Sequence, residues 1–332
     1  MVSKPAAVAA ERPTANPEAY RLYLKAIQQA RTWTEEGLRN SLEFFQQAIA
    51  IDPSYAPSHA GIAYSLAMIG FYGFIRGSQA YPKARAAANQ AIRLDPTIAE
   101  AHVALSLHAL QSDRDLQLGI SEGQKAVQLQ PDLAIAHHAL AIALVVAQRS
   151  EEALLAVQKA AELDPLTPLF QAYVAWILHC LGRNEEAWQQ LMSTLDVHPN
   201  DYYTIRILLY CATTPERCRL AIEFGKKIAT LTKSKLAGQG MLGALYARAG
   251  ERELAEELAR QIEAEAANEP AFAVYLAMIR CALGEKEAAV QWLGSAERAG
   301  MGFLIIIAVE PTFAPLRPLP QFQALVRKLG LA

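Results

Sequence analysis

The sequence predicts an all-α solenoid of about eight helix pairs, closed by a C-terminal cap. Three observations carry this. Helix-stopping prolines fall at Pro53, Pro96, Pro131, Pro165 and Pro199, with spacings of 43, 35, 34 and 34 residues. Small residues recur 34 apart at Ala153, Ala187, Ala221, Ala255 and Ala289, and a second series runs Ala141, Ala175, Leu209, Gly243 and Ala277. The composition is 52% hydrophobic but only 8% aromatic, which with abundant alanine suits closely packed helices better than sheets. A fixed period of this length marks stacked helix pairs, because one pair cannot bury its apolar face alone.

Residues 1–17 are rich in Ala and Pro and lack helical periodicity, so they read as a disordered tail. From Glu18 the solenoid begins. Tyr20, Leu22, Tyr23, Leu24 and Ile27 make one apolar helix face, and Leu42, Phe45, Ala48 and Ile51 make the next, ending at Asp52-Pro53. The second pair is nine residues too long, with the excess around 71–80 (FYGFIRGSQA). That insertion reads as an exposed aromatic loop able to carry function, or as a lengthened first helix that packs its aromatics on the first pair. Residues 134–165 form the reference copy: two amphipathic helices, a turn near Gln148-Arg149-Ser150, and the stop Asp164-Pro165. Asp52-Pro53 and Asp95-Pro96 repeat that stop, where proline cannot continue the helix. Gly182, Gly250 and Gly284 mark turns on the same period.

The small positions let antiparallel helices approach; a bulky side chain there would overpack at a cost of about 1–3 kcal/mol. The period holds to residue 300. Residues 301–332 then form the expected cap, with Phe313, Leu316, Phe322 and Leu325 covering the apolar face that a last repeat leaves bare.

This pattern resembles the tetratricopeptide repeat over roughly residues 19–300. In that register the family's small position falls on Ala63, Ser106, Ala141, Ala175, Leu209, Gly243 and Ala277. The alanine opening the second helix falls on Ala84, Gly119, Ala153, Ala187, Ala221, Ala255 and Ala289. Repeat seven matches best, through Leu242, Gly243, Tyr246 and Ala255. Leu209 and a missing proline make repeat six the least regular. The resemblance implies a right-handed superhelix whose first helices line a concave groove. It assigns inward positions to Tyr64, Gln111, His138, Trp176, His179, Tyr203, Arg206, Tyr210 and Arg248. Aromatics and Arg are the types enriched at binding hot spots, and they can hold an extended peptide by stacking and by pairing its carboxylates. The alternative is that they pack between repeats.

Members that clamp acidic chaperone tails use Lys and Asn at inward positions. Here those positions carry Ala60, Tyr64, Val103, Leu107, His138 and Ile142, so that role is not expected. The tail, through Pro311, Phe313, Leu316, Arg317, Pro320 and Phe322, resembles the ending of repeat regions fused to bacterial winged-helix regulators, nucleotide cyclases or protein kinases. This chain shows no such effector segment, so the sensory or docking half alone would be represented.

Other classes find little support. A formal net charge of -2 with interspersed signs gives no nucleic-acid footprint. Cys180, Cys211, Cys218 and Cys281 form no CxxC pair, as in a protein with reduced thiols. The longest apolar run, 303–309, is far short of the roughly 20 residues a membrane helix needs, and no signal peptide is evident, which favours the cytoplasm. Gly238-Gln239-Gly240-Met241-Leu242-Gly243 matches GxGxxG, but its flanks are helical rather than a βαβ unit. His59, His102 and His137 share one register position and read as packing histidines with one satisfied nitrogen. The pairs Glu151-Glu152, Glu185-Glu186 and Glu256-Glu257 open second helices, where negative charge complements the helix dipole.

The expectation is therefore a non-catalytic protein- or peptide-binding scaffold, without cofactor or metal, serving as a sensory or docking module in bacterial regulation. Trp176, Tyr203, Arg206 and Tyr210 would anchor the partner. The alternative is a small-molecule receptor or enzyme with a pocket near His138, His179 and Cys180. Self-association through 71–80 and the tail is a third expectation.

Overall fold

A computed structural model describes residues 14–32, 34–232, 240–266 and 272–331. Most of the expected tail, residues 1–13, lies outside the described residues, as do Gly238 and Gln239. Described residues form seventeen α-helices and no strand. Eight consecutive pairs are α1 (Pro17–Ala30) with α2 (Glu35–Ile51), α3 (Ala56–Tyr72) with α4 (Gly77–Leu94), α5 (Ala99–His108) with α6 (Leu116–Leu129), and α7 (Ala134–Val146) with α8 (Ser150–Leu163). They continue as α9 (Pro168–Cys180) with α10 (Asn184–Val197), α11 (Tyr202–Cys211) with α12 (Pro215–Thr232), α13 (Met241–Ala249) with α14 (Arg252–Ala266), and α15 (Phe272–Ala282) with α16 (Lys286–Arg298). Two 3₁₀ turns, Gly302–Ile306 and Pro311–Leu316, and a short α17 (Pro320–Lys328) follow.

The chain divides into two compact units, Met1–Phe170 and Gln171–Ala332, with the boundary inside α9. In unit 1 the first helices α1, α3, α5 and α7 pack on one another in succession, and the second helices α2, α4 and α6 each pack on the first helix of the next pair. In unit 2, α11, α13 and α15 repeat this arrangement. Burial separates the two kinds of helix. Ten of the 13 residues of α7 are buried, against five of the 14 of α8. A helix that is apolar all round belongs inside, and one with a single apolar stripe lies outside.

The small-residue clock works as close packing. Ala63, Ser106, Ala141, Ala175 and Ala277 are fully buried, and so are Ala153, Ala187, Ala221, Ala255 and Ala289. Gly119 sits so close to α5 that an added Cβ would lie 2.7 Å from Leu110 Cδ2, and Ser106 Oγ donates to the Gly119 carbonyl at 2.7 Å. Leu209 breaks the small-residue rule in repeat six. Its bulk is met on α12 by Gly225, where a Cβ would come within 3.6 Å of Leu209 Cδ2 and 2.8 Å of Leu242 Cδ2.

The Asp-Pro stops are side-chain-capped turns. Asp52, Asp95 and Asp164 each end a second helix, Asp52 and Asp95 in an extended conformation. Asp52 Oδ1 accepts from the backbone N–H and the hydroxyl of Ser54 (3.0 and 2.6 Å), and Asp95 Oδ1 does the same with Thr97 (2.9 and 2.7 Å). The aspartate thus satisfies groups that the proline leaves without a helical partner. His59 and His137 are half-buried rather than core-packed. Each Nε2–H donates to the carbonyl of the stop proline six residues earlier, at 3.1 and 2.8 Å, while His102 Nδ1 donates to Glu122 at 2.6 Å.

At the N-terminus, Asn16 caps α1, and Thr14 Oγ1 donates to Asp52 at 2.6 Å. The 71–80 insertion is a lengthened helix pair. α3 runs on to Tyr72, Gly73 turns the chain at φ 75°, and α4 starts at Gly77. Phe71, Tyr72 and Phe74 pack ring on ring, and Arg39 of α2 donates to the Phe74 carbonyl at 3.2 Å.

Candidate functional site

In unit 2 the nominated residues come together, and they do so in the interior. Trp176, His179, Tyr203 and Tyr210 are each 3% exposed and Arg206 is 7% exposed. Tyr203 stacks on Tyr173 with centroids 5.5 Å apart, and their hydroxyls share a hydrogen bond of 2.8 Å. The Arg206 guanidinium lies 6.0 Å from the Tyr203 ring centroid. His179 Nδ1 donates to Asn184 Oδ1 at 2.6 Å, tying α9 to the start of α10.

Arg248 is committed to backbone. Its guanidinium donates to the carbonyls of Leu209 (2.8 Å), Tyr210 (3.3 Å) and Ala212 (3.1 Å), capping the C-terminus of α11 from α13. Those carbonyls have no intrahelical donors, because α11 stops at Cys211 and α12 restarts at Pro215.

Residues 301–317 cover much of this surface. Phe303 stacks on Tyr210 of α11 (6.3 Å). Glu310 is fully buried and accepts the Trp176 indole N–H of α9 at 2.8 Å, together with the Thr312 N–H (3.1 Å) and hydroxyl (2.8 Å). The Cys281 thiol of α15 donates to the Thr312 carbonyl at 3.2 Å. The four thiols are not poised for chemistry: burial pushes Cys180, Cys211 and Cys218 up and Cys281 to about 11, and nucleophilicity needs a thiolate.

In unit 1 the nominated residues are separated. Gln111 is buried within a π-helical turn, Ala109–Asp113, that ends α5. His138 is buried edge-on against Phe170 (5.5 Å), and desolvation pushes its pKa down to about 3. The imidazole is therefore neutral when folded but takes up a proton below pH about 6.5 when unfolded. The sign follows: its contribution is complete above pH about 6.5 and is lost as pH falls from there toward 3. Urea unfolding at pH 7 and pH 5 is expected to show a loss from this group of about 2 kcal/mol, one pKa unit being about 1.4. The same pair of measurements on His138→Gln isolates it.

Tyr64 lines a cavity of about 80 Å³ in unit 1. The walls are Tyr23 and Ile27 of α1, Phe45 of α2, Gly61 of α3, Val103 of α5, Ile135 of α7 and Phe170. Gly61 keeps the cavity's wall close-packed, since a Cβ there would meet the Phe45 ring at 2.2 Å. The rim is polar. Arg31 and Asp164 approach to 3.6 Å, and Glu100, in the first turn of α5, adds a carboxyl whose pKa is raised by burial. No Lys or Arg pairs with Glu100 among the described residues. Arg31, Glu100, Asp164 and Phe170 escaped the sequence reading. Asp164 read only as a helix stop, and the other three lie outside the inward register positions.

The remaining charged motifs are ordinary ion pairs: Arg149–Glu152 and Arg183–Glu186 within second helices, and Arg217–Glu185 between repeats, each at 2.6 Å. Gly240 and Gly243 pack against Tyr275 and Ile279 of α15, the reason helical packing needs glycine there. Among the described residues no cluster of three or more His, Cys, Asp or Glu has metal-site geometry, and no helix is long and apolar enough to cross a membrane.

No protein-family model matches the chain, and no curated protein matches it. Solved structures do. Yeast Tom70 aligns over 98% of this chain and 70% of its own, with 15% identity and a TM-score of 0.57. In the APC/C hetero-tetramer Cut9-Hcn1, the match covers 95% of this chain and 57% of that one, with 16% identity and a TM-score of 0.64. At such identity the likeness speaks for architecture alone. Together with the 34-residue clock and the two-layer helix packing, it shows that this chain has the tetratricopeptide-repeat fold, an all-α solenoid of helix pairs.

Proposed function

We propose that the chain is a non-catalytic scaffold that binds a protein partner through an extended peptide segment, and that unit 1 supplies the entry site. The observation that carries this reading is the cavity bounded by Tyr23, Tyr64, Val103, Ile135 and Phe170, with the Glu100 carboxyl at its rim. Its volume is about half that of the roughly 150 Å³ cavity that accepts benzene, which suits one branched aliphatic side chain. Glu100, which pairs with no Lys or Arg among the described residues while Arg31 is held by Asp164, favours a Lys or Arg adjacent to that anchor. The partner class is therefore an apolar-basic peptide. A docking role in bacterial regulation, in the cytoplasm, is consistent with the tail's resemblance and belongs to the same proposal.

The test is peptide display against the full chain. Enriched sequences are expected to place Val, Leu or Ile beside Lys or Arg. Glu100→Lys and Val103→Trp should each weaken binding at least about tenfold, roughly 1.4 kcal/mol. Peptides that bind both folded variants as well as the parent would sink the assignment. A second reading, a small-molecule receptor, is favoured by the enclosure of the same cavity. A bound metabolite in native mass spectrometry, absent from Val103→Trp, would select it.

A further inference from the structure

We propose that residues 301–317 are an internal ligand, and that the face of unit 2 they cover is a second binding surface, selective for segments carrying a buried carboxylate. The segment leaves the last helix pair at Gly300 (φ 71°) and does not form another pair. It runs instead along first helices, touching α15 through Thr312, α11 through Phe303 and α9 through Glu310. The Trp176–Glu310 bond joins residues 134 apart in sequence, spanning from repeat eight back to repeat five. The segment holds two short 3₁₀ turns, Gly302–Ile306 and Pro311–Leu316, and its side chains reach three different first helices, as a bound segment from a partner could.

The chemistry of the contact separates a ligand from a lid. Covering a bare apolar face needs only apolar side chains, and Phe313 and Leu316 provide them at full burial. Glu310 adds a carboxylate with no exposed surface, which costs desolvation and helps only where its acceptors are met. They are met in part by the groove itself: Oε2 takes the Trp176 indole N–H while Oε1 takes the Thr312 donors. A polar lock of this kind discriminates strongly, because a segment lacking the carboxylate leaves Trp176 Nε1 buried and unpaired. The partner that fits is a segment with an aromatic or aliphatic residue about seven positions before a Glu or Asp, and an aromatic three positions after it, as Phe303, Glu310 and Phe313 stand here. It would compete with 301–317 for the same seat. This rests on the reading of the chain as a peptide-binding scaffold but not on the unit 1 cavity, and Val103→Trp is expected to leave it unchanged.

Hydrogen exchange on the full chain tests the first half without any substitution. Amides of 301–317 are expected to exchange at least about tenfold faster than those of α11 and α15, through an opening smaller than global unfolding. Exchange in step with α11 and α15 would overturn the proposal and make the segment a fixed cap. The second half uses a labelled synthetic peptide matching residues 301–317. It should bind Glu310→Lys, whose own segment is unseated, at least about tenfold more tightly than the parent chain. The same peptide with alanine for its glutamate should bind neither. Equal binding of the two peptides to folded Glu310→Lys would refute the carboxylate lock.

Discussion

Trp176→Ala is expected to destabilise the protein by about 4–5 kcal/mol, measured by urea unfolding with far-ultraviolet circular dichroism. Truncating a buried Trp costs about 3–5 kcal/mol by itself. The substitution also removes the donor that meets the Glu310 carboxylate, and a buried charge left short of partners adds to the penalty. Trp176→Phe helps separate the two effects, since it keeps a buried aromatic ring while losing the N–H and the volume of the five-membered ring; about 2 kcal/mol is expected. Combining Trp176→Phe with Glu310→Gln should cost less than the sum of the single changes, because the pair then forfeits one shared interaction. Strict additivity would mean that the indole and the carboxylate do not act together.

Arg248→Met is the second large effect, about 3 kcal/mol in the same assay. It strips the Arg248 donors from three carbonyls at the end of α11, leaving those of Leu209 and Tyr210 unmet while Ala212 keeps the Cys218 thiol, and burying an unmet acceptor costs about 1–3 kcal/mol before any relaxation. Arg248→Lys should recover less than half of the loss, because a single ammonium cannot reach three carbonyls as a planar fork does. The residue that the family register assigned to a partner is thus spent on the chain's own backbone. A Lys variant as stable as the parent would show that the cap is dispensable.

Both effects fall on residues that the register assigned to the groove, Trp176 as an anchor and Arg248 as a lining residue, and the reason is instructive. Aromatics and Arg satisfy two demands equally well: filling a desolvated interface with a partner, or filling one within the chain. Register alone cannot choose between them. The register assigns Trp176 and Tyr210 of the first helices to a partner, but residues more than 90 positions later arrive to cover them. Tyr64 occupies an equivalent place in repeat two and borders a cavity instead. Nothing near Tyr64 in the sequence differs in kind from what surrounds Trp176. The difference is the tail, which lies along unit 2.

The sequence by itself determined the helix pairs, their period and where they approach closely. Those properties are local or nearest-neighbour: a proline ends a helix where it stands, and Ala187 or Ala255 is small because the adjacent helix is close. Even the Leu209 exception was visible, though its remedy at Gly225 was not, since that requires knowing which side chains meet across α11 and α12. Only the tertiary structure decided which of the nominated residues the chain itself covers. That choice depends on contacts between residues far apart in sequence, Glu310 with Trp176 and Asp164 with Arg31, for which no spacing rule exists. Repetition specifies the scaffold because each repeat sees the same neighbours, whereas the contacts that cover Trp176 and Tyr210 are made by non-repeating residues that each repeat meets once.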